Sequence, residues 1–456
     1  MEGLSKVLEK ALDILETRII CPSCLGRQFA LLGHGVANFR RGLTILDFIV
    51  LSAHTTYMEG EREEDREKVL KILYAAFKSG SKLAGTTLEK IVGKEGDLYQ
   101  KFEKDYGEVC WLCEGLFSSF EDLALKVVEA GKEAEFETFL IGCVVNPLLI
   151  EREDCLRAEF GLVWGESLKS ELNREIGKIV SKITGKVVDF NRPDVVFLMD
   201  LVRDVVEVKA SSIFVYGRYR KLKGGVPQAP WFCKSCRGEG CDECGGKGRK
   251  YETSIAELIC EPAQELVKGV GWKFHAAGRE DVDALMLGNG RPFVLEVKNP
   301  KIRSFDLKLL QEKISEGARG IIEVDSFRFS DKEEVRQLKE ASSVMQKTYR
   351  TIVKLENEVA EEELKVLEER FSGVNVSQRT PTRVLHRRTD IERIKKVFSL
   401  KARKIDKFHV ELLITTQGGT YVKELISGDE GRTKPSVVEI LGVKAECLEL
   451  SVISVE

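Results

Sequence analysis

Within five positions, Arg279-Glu280-Asp281-Val282-Asp283 gathers a cation and three carboxylates at the entrance to an apolar run. An ionised carboxylate beside a cation can attack an electrophile or take a proton; the plain alternative is a polar strand edge with solvated acids. A turn-forming tripeptide, Gly288-Asn289-Gly290, separates 281–287 from 293–298, which predicts a β-hairpin with Asp281 and Asp283 on one face of its first strand. Twelve cysteines supply a second kind of chemistry. Cys233-x-x-Cys236 and Cys241-x-x-Cys244 are separated by a glycine-containing loop that can fold two thiolate pairs onto one ion. Cys21-x-x-Cys24 and Cys110-x-x-Cys113 offer the same ligands across a wide gap, so a shared zinc stands beside a redox pair or buried thiols as readings of that set. Four thiolates leave no open coordination position, so any zinc here is structural.

Two further stretches suit nucleic acid. Residues 216–223 interleave Arg218, Arg220, Lys221 and Lys223 with Tyr216 and Tyr219, cations for phosphates beside rings for bases. Residues 379–407, including Arg383, hold eleven Arg or Lys against three acids, too lopsided for an ordinary solvated face.

Several of these strings carry a family resemblance. GREDVD, LGNGRPF and ExKNP, with RTPTRVLHRR and GTYVKEL, resemble the archaeal and eukaryotic synthases that form pseudouridine at positions 54 and 55 of tRNA. The string ELNREIGK with TGKVVDFNRPD is similar to the THUMP domain, an RNA-binding module of tRNA-modifying enzymes. The resemblance implies that Asp281 is the nucleophile, Arg279 its flanking cation and Asp283 a supporting acid. It implies that Tyr349, in Lys347-Thr348-Tyr349, stacks on the target base, that Lys423 pairs with the aspartate and that Tyr421 borders the uridine. Arg218 and Arg383 join the substrate-binding set. The implied partner is tRNA, through its T-arm, with structural zinc and no cofactor for catalysis.

The elements that must position these groups are read from periodicity. The chain is 456 residues long, enough for two or three domains, each with its own core. With 71 basic and 74 acidic residues the net charge is −3, so no global field draws in RNA and contact must be local. A 32% share of charged residues suggests a thermophile. An amphipathic helix opens the chain, with Leu4, Leu8, Ala11, Leu12 and Leu15 on one stripe. It is too charged for a signal peptide, and no run reaches 18 apolar residues, which predicts a cytoplasmic protein without a membrane span. Helices are expected through 61–77. A buried strand follows near 138–148, then a helix from Leu168 that ends at Gly185, and short strands at 194–199, 204–209 and 212–216.

The expected fold is α+β. Residues 1–215 form a zinc-binding accessory domain whose THUMP-like module spans about 70–215. Residues 216–456 form a catalytic domain with a central, mainly antiparallel sheet, a cleft and a zinc-knuckle insertion at 231–250. No GxGxxG follows a strand and no GxxxxGK[ST] occurs, consistent with an isomerisation in which nothing is oxidised and nothing leaves. The expected enzyme is a monomer. A THUMP-bearing methyltransferase or thiolation enzyme, and a non-catalytic zinc adaptor that binds tRNA, are the alternatives.

Overall fold

Leu168, Leu172, Ile176 and Val180 recur at helical spacing between a serine and a glycine, and the chain there is a helix, Leu168–Thr184. Ser167 caps it by accepting a hydrogen bond from the Ser170 amide, and Gly185 ends it at φ 72°. The structure, a computed structural model, describes residues 2–59, 63–92, 109–342 and 344–456, with the side chains of 2–5 and 387 also outside the description. It divides into two compact units, Met1–Lys209 and Ala210–Glu456.

In the first unit the opening helix, Glu2–Thr17, buries Ala11, Ile14 and Leu15. Leu4 of the expected stripe lies outside the described side chains. Helices Pro22–Arg27, Asn38–Glu59, Glu63–Lys78 and Lys82–Val92 follow. The helix expected over 61–77 begins in residues outside the description and is described from Glu63. A four-stranded sheet comes next: β1 (Thr138–Val144), β2 (Val187–Val188), β3 (Val195–Asp200) and β4 (Val205–Ala210), in the order β2-β1-β3-β4. Strand β1 runs parallel to β2 and β3, and the Leu168–Thr184 helix packs on it.

The second unit is built on one large sheet. Its strands are β5 (Ile213–Lys221), β6 (Gly271–Ala276), β7 (Leu285–Lys298), β8 (Ile322–Ser330), β9 (Gln346–Leu355), β10 (Asn375–Arg379), β11 (Glu392–Lys404), β12 (His409–Gln417), β13 (Thr433–Lys434) and β14 (Ala445–Val455). The order is β13-β10-β11-β12-β9-β14-β7-β5-β8, with β6 also on β7. Among the described residues every pairing in this sheet is antiparallel except one: β14 meets β7 in parallel, Ser451 opposite Leu285 and Val452 opposite Met286. The mainly antiparallel α+β architecture expected from the sequence is therefore present. Helices Ile255–Val267, Leu307–Gly317 and Glu361–Arg370 contribute Ile259, Leu310 and Leu367 to its core.

Three local expectations are corrected. Residues 281–287 and 293–298 do not pair as a hairpin. They belong to one approach loop and one strand, β7, in which Gly288-Asn289-Gly290 forms a bulge against β5, where the register slips between Tyr219 and Lys221. The bulge is held from β14, because the Val455 amide donates to Asn289 Oδ1 at 3.1 Å. Gly288 has φ +58°, and a Cβ there would stand 1.8 Å from the Ile453 carbonyl oxygen, so only glycine fits. Asp281 and Asp283 consequently sit on a loop, not on one strand face. Finally, the strand expected at 212–216 is the start of β5 and belongs to the large sheet.

Candidate active site

The loop 277–284 enters β7 beside the parallel β7–β14 junction, and over that junction lies a cavity of about 810 Å³. Asp281, Asp283, Arg279, Tyr349, Tyr421, Lys423 and Arg383 all line it. The sequence scattered these residues over more than a hundred positions, and the sheet order gathers them.

Asp281 is gripped end-on by one guanidinium. Arg383 Nη1 donates to Asp281 Oδ1 at 3.1 Å, and Nη2 lies 3.0 Å from Oδ2. The same arginine donates through Nε to the mostly buried Glu424 at 2.6 Å, so it bridges two carboxylates. Lys423, on the short helix Val422–Ser427, donates to Asp283 at 2.6 Å and stands 4.0 Å from Asp281. Partial burial works against the Asp283 carboxylate, but the Lys423 ammonium outweighs it and holds the group below its ordinary range.

Tyr349 comes from β9, and burial pushes its phenol up to about 12, so the ring meets the cavity as a neutral hydroxyl. Tyr421 receives a hydrogen bond on its hydroxyl from Arg388 at 2.9 Å, while Gln378 holds its backbone amide and carbonyl, each at 2.9 Å. Arg279 is exposed at the cavity wall. Arg218 is not brought to the cavity. Its guanidinium is committed to the carbonyls of Asn289, Gly290 and Val455 at 2.6, 2.9 and 3.0 Å, tying the β7 bulge to β14.

Beneath the loop lies a buried charged layer, and it takes in Tyr219 and Lys221, which the sequence reading had offered to RNA but which the sheet buries completely. Arg291 and Glu280 form an ion pair at 2.9 Å with both side chains 1% exposed. The Tyr219 hydroxyl donates to Glu280 at 2.9 Å, and Gln228 donates to that hydroxyl and to the Gly278 carbonyl at 2.9 and 3.0 Å. Buried Lys221 donates to the carbonyls of Val282 and Asp281 at 2.7 and 3.3 Å, so it clamps the backbone that carries the aspartate. Lys347 reaches the Ala277 carbonyl at 3.3 Å, and burial together with the nearby Arg291 cation lowers its ammonium to about 7. Removing one partner of a buried pair such as Glu280–Arg291 typically costs about 3–5 kcal/mol, because the other charge is left without compensation. In the sequence Glu280 stands between Arg279 and Asp281, and Arg291 between Gly290 and Pro292, so no local pattern marked either as buried.

The cationic stretch 379–407 divides. Arg383, Arg388, Arg393 and Lys395 line the cavity, whereas Arg403 and Lys404, further along β11, pair with Glu411 and Glu358 at 2.9 and 3.0 Å.

Both cysteine quartets assemble, each with its sulfurs within 4.8 Å of one another. A zinc ion with Zn–S bonds of about 2.3 Å requires tetrahedral S···S edges of about 3.8 Å. Cys21–Cys113 lies at 3.8 Å, Cys233–Cys241 at 3.9 Å, Cys236–Cys244 at 3.8 Å and Cys241–Cys244 at 3.7 Å. Backbone amides support the thiolates: Gly240 donates to Cys236, Cys241 to Cys244 and Gly248 to Cys244 at 3.1–3.2 Å. In the first unit the Cys21 amide donates to Cys110 at 3.2 Å, and buried Arg27 reaches Cys24 at 3.7 Å while pairing with Glu153 and Glu171 at 2.9 and 3.3 Å. Donor type and spacing therefore fit zinc at both clusters. Among the described residues, no helix is long and apolar enough to cross a membrane.

Curated relatives resemble this chain over nearly its whole length. The tRNA pseudouridine synthase Pus10 of Thermofilum pendens is 41% identical over 97% of this chain and 94% of its own. That of Methanothrix thermoacetophila is 39% identical over 99% and 95%, and that of Pyrococcus furiosus 35% over 98% of each. A solved Cbf5-Nop10-Gar1 complex covers 42% of this chain and 43% of that one at 18% identity, with a TM-score of 0.27, too distant to carry an argument. The likenesses define the class first, a pseudouridine synthase with a THUMP module. The family model described as "Pus10, C-terminal" matches residues 214–456, and "Pus10 THUMP domain, archaeal" matches 123–200. The chain belongs to the Pus10 family of tRNA pseudouridine synthases.

Proposed function

We propose that this enzyme isomerises uridine to pseudouridine in the T-loop of tRNA, at position 54, 55 or both, with Asp281 as the nucleophile. The observation that carries the proposal is the Asp281–Arg383 clamp in a cavity that Tyr349, Tyr421 and Lys423 also line. The reaction breaks the N–C glycosidic bond, turns the base over and joins its C5 to C1′. A carboxylate must act on the ribose-base unit, whether by attack on C1′, attack on the base or removal of a proton, and each route needs Asp281 ionised and fixed. Arg383 and Lys423 supply positive charge at that oxygen pair, and Lys221 fixes the backbone behind it. Tyr349 holds the base by stacking.

The target uridine must leave the folded T-loop, at a cost of a few kcal/mol that contacts elsewhere offset. Residues 1–215, with the THUMP module, serve that grip, and residues 216–456 carry the reaction. Arg279 contributes to phosphate binding at the cavity wall. Arg218 supports binding indirectly by holding the bulge. Both cysteine quartets hold structural zinc, and the protein works in the cytoplasm as a monomer.

The test is incubation with an unmodified tRNA transcript without added cofactor, followed by carbodiimide–primer extension. Pseudouridine should appear in the T-loop, and Asp281→Ala should reduce it by at least about 10³-fold, within the range for loss of a reacting group. Full activity in Asp281→Ala would remove the proposal.

A further inference from the structure

Among the described residues three aromatic rings line the cavity, and the function proposed above employs two of them, Tyr349 and Tyr421. The third is Trp231. It stands at the base of the cysteine knuckle, where two short stems run together: the Lys250 amide donates to the Trp231 carbonyl at 2.9 Å, Phe232 bridges Arg249 and the Cys233 amide donates to the Gly248 carbonyl at 2.7 Å. The stems continue directly into the thiolate quartet, so an ion bound there would tie together the two stems, one of which carries the indole. Tyr251 meets the indole edge-on, at 5.4 Å and 78°, and Lys250 places its ammonium 5.5 Å from both rings. Ring and cation side by side match a nucleotide's two recognisable parts, the flat base and the phosphate. A target base has only two faces, and with Tyr349 stacked on it and Tyr421 at its border, a third ring is surplus to that base.

We propose that Trp231 is a stacking platform for an unpaired nucleotide adjacent to the target uridine, with Lys250 at its phosphate, and that the cysteine knuckle exists to present this platform at the cavity. The proposal rests on the RNA-uridine reading of the site. It assigns the knuckle a role in binding, distinct from the fold of the large sheet.

The test uses the full, zinc-loaded chain and tRNA transcripts carrying 2-aminopurine at one or the other nucleotide flanking the target. Binding of the wild type should quench one flanking probe. Trp231→Ala should abolish that quenching, raise Kd and KM about tenfold, as expected for one lost base–aromatic stack, and leave kcat within about twofold. Trp231→Leu keeps apolar bulk without a π-face and should match the alanine variant at an unchanged melting temperature, while Trp231→Phe should recover most of the binding. Unchanged Kd, KM and quenching in Trp231→Leu would overturn the proposal, as would a fall in kcat alone. Quenching without pseudouridine formation on any transcript would refute the proposed reaction while supporting the platform.

Discussion

Lys347 shows what burial does to one ionisable group near Asp281. The residue is 4% exposed, and burial together with the nearby Arg291 cation lowers its ammonium from 10.5 to about 7. The unfolded chain therefore keeps this proton at pH values where the folded chain has released it. Stability should rise as pH increases from about 7 to 10.5, with the full cost of burying the charge felt below 7. Lys347→Met should flatten that rise in urea midpoints measured across the window, and an identical slope in the variant would refute the assignment. The motifs had pointed to Asp281, Tyr349, Tyr421 and Lys423 through a family resemblance, not through residue types alone, and all four line the cavity. They did not reveal that Arg383 is the cation in two-point contact with Asp281, because that pair spans about a hundred positions and depends on the turn at Thr382–Arg387 being carried over the cavity. Nor did they separate Arg218 from the cavity. An arginine between tyrosines fits RNA equally well whether its donors face phosphates or, as here, three backbone carbonyls.

At the scale of elements the two cysteine clusters sit in different surroundings. Cys24, Cys110 and Cys113 are buried in the core of the first unit, whereas the knuckle's four cysteines are half-exposed on a loop. Mass spectrometry of the purified chain should find two zinc ions. Cys24→Ala should lose one and lower the first melting transition by several degrees, and Cys241→Ser should lose one with the main transitions unmoved; equal thermal effects would contradict this division. The four-residue loop between the knuckle pairs made that element legible in advance, since the ligands lie close in sequence. The Leu168–Thr184 helix was equally legible because its cap, its apolar spacing and its terminating glycine agree. Gly288-Asn289-Gly290 was read as a hairpin turn because it has a turn's chemistry, and Gly288 and Gly290 do adopt positive φ, 58° and 70°. What no local pattern records is that β5 and β14 claim the two ends of that segment, leaving the tripeptide as a bulge.

For the whole molecule, near-neutral charge and a cationic cavity wall make RNA affinity a local affair. Binding of tRNA should weaken linearly in log–log form as salt is raised. Arg279→Gln should reduce that slope by about one, the contribution of one phosphate contact. An unaltered slope would mean that Arg279 faces no phosphate. The large sheet also has a temporal side. Strand β14, the last in chain order, lies between β9 and β7, and its Leu450 and Val452 help form the cavity. On a ribosome adding about 5–20 residues per second, β7 is made on the order of 10 s before the strand that will sit beside it. Through that interval β7 and β9 have an unfilled gap between them, open to stray strands. The pocket therefore closes only once β14 has emerged, and a nascent chain without it cannot grip its RNA in a finished site.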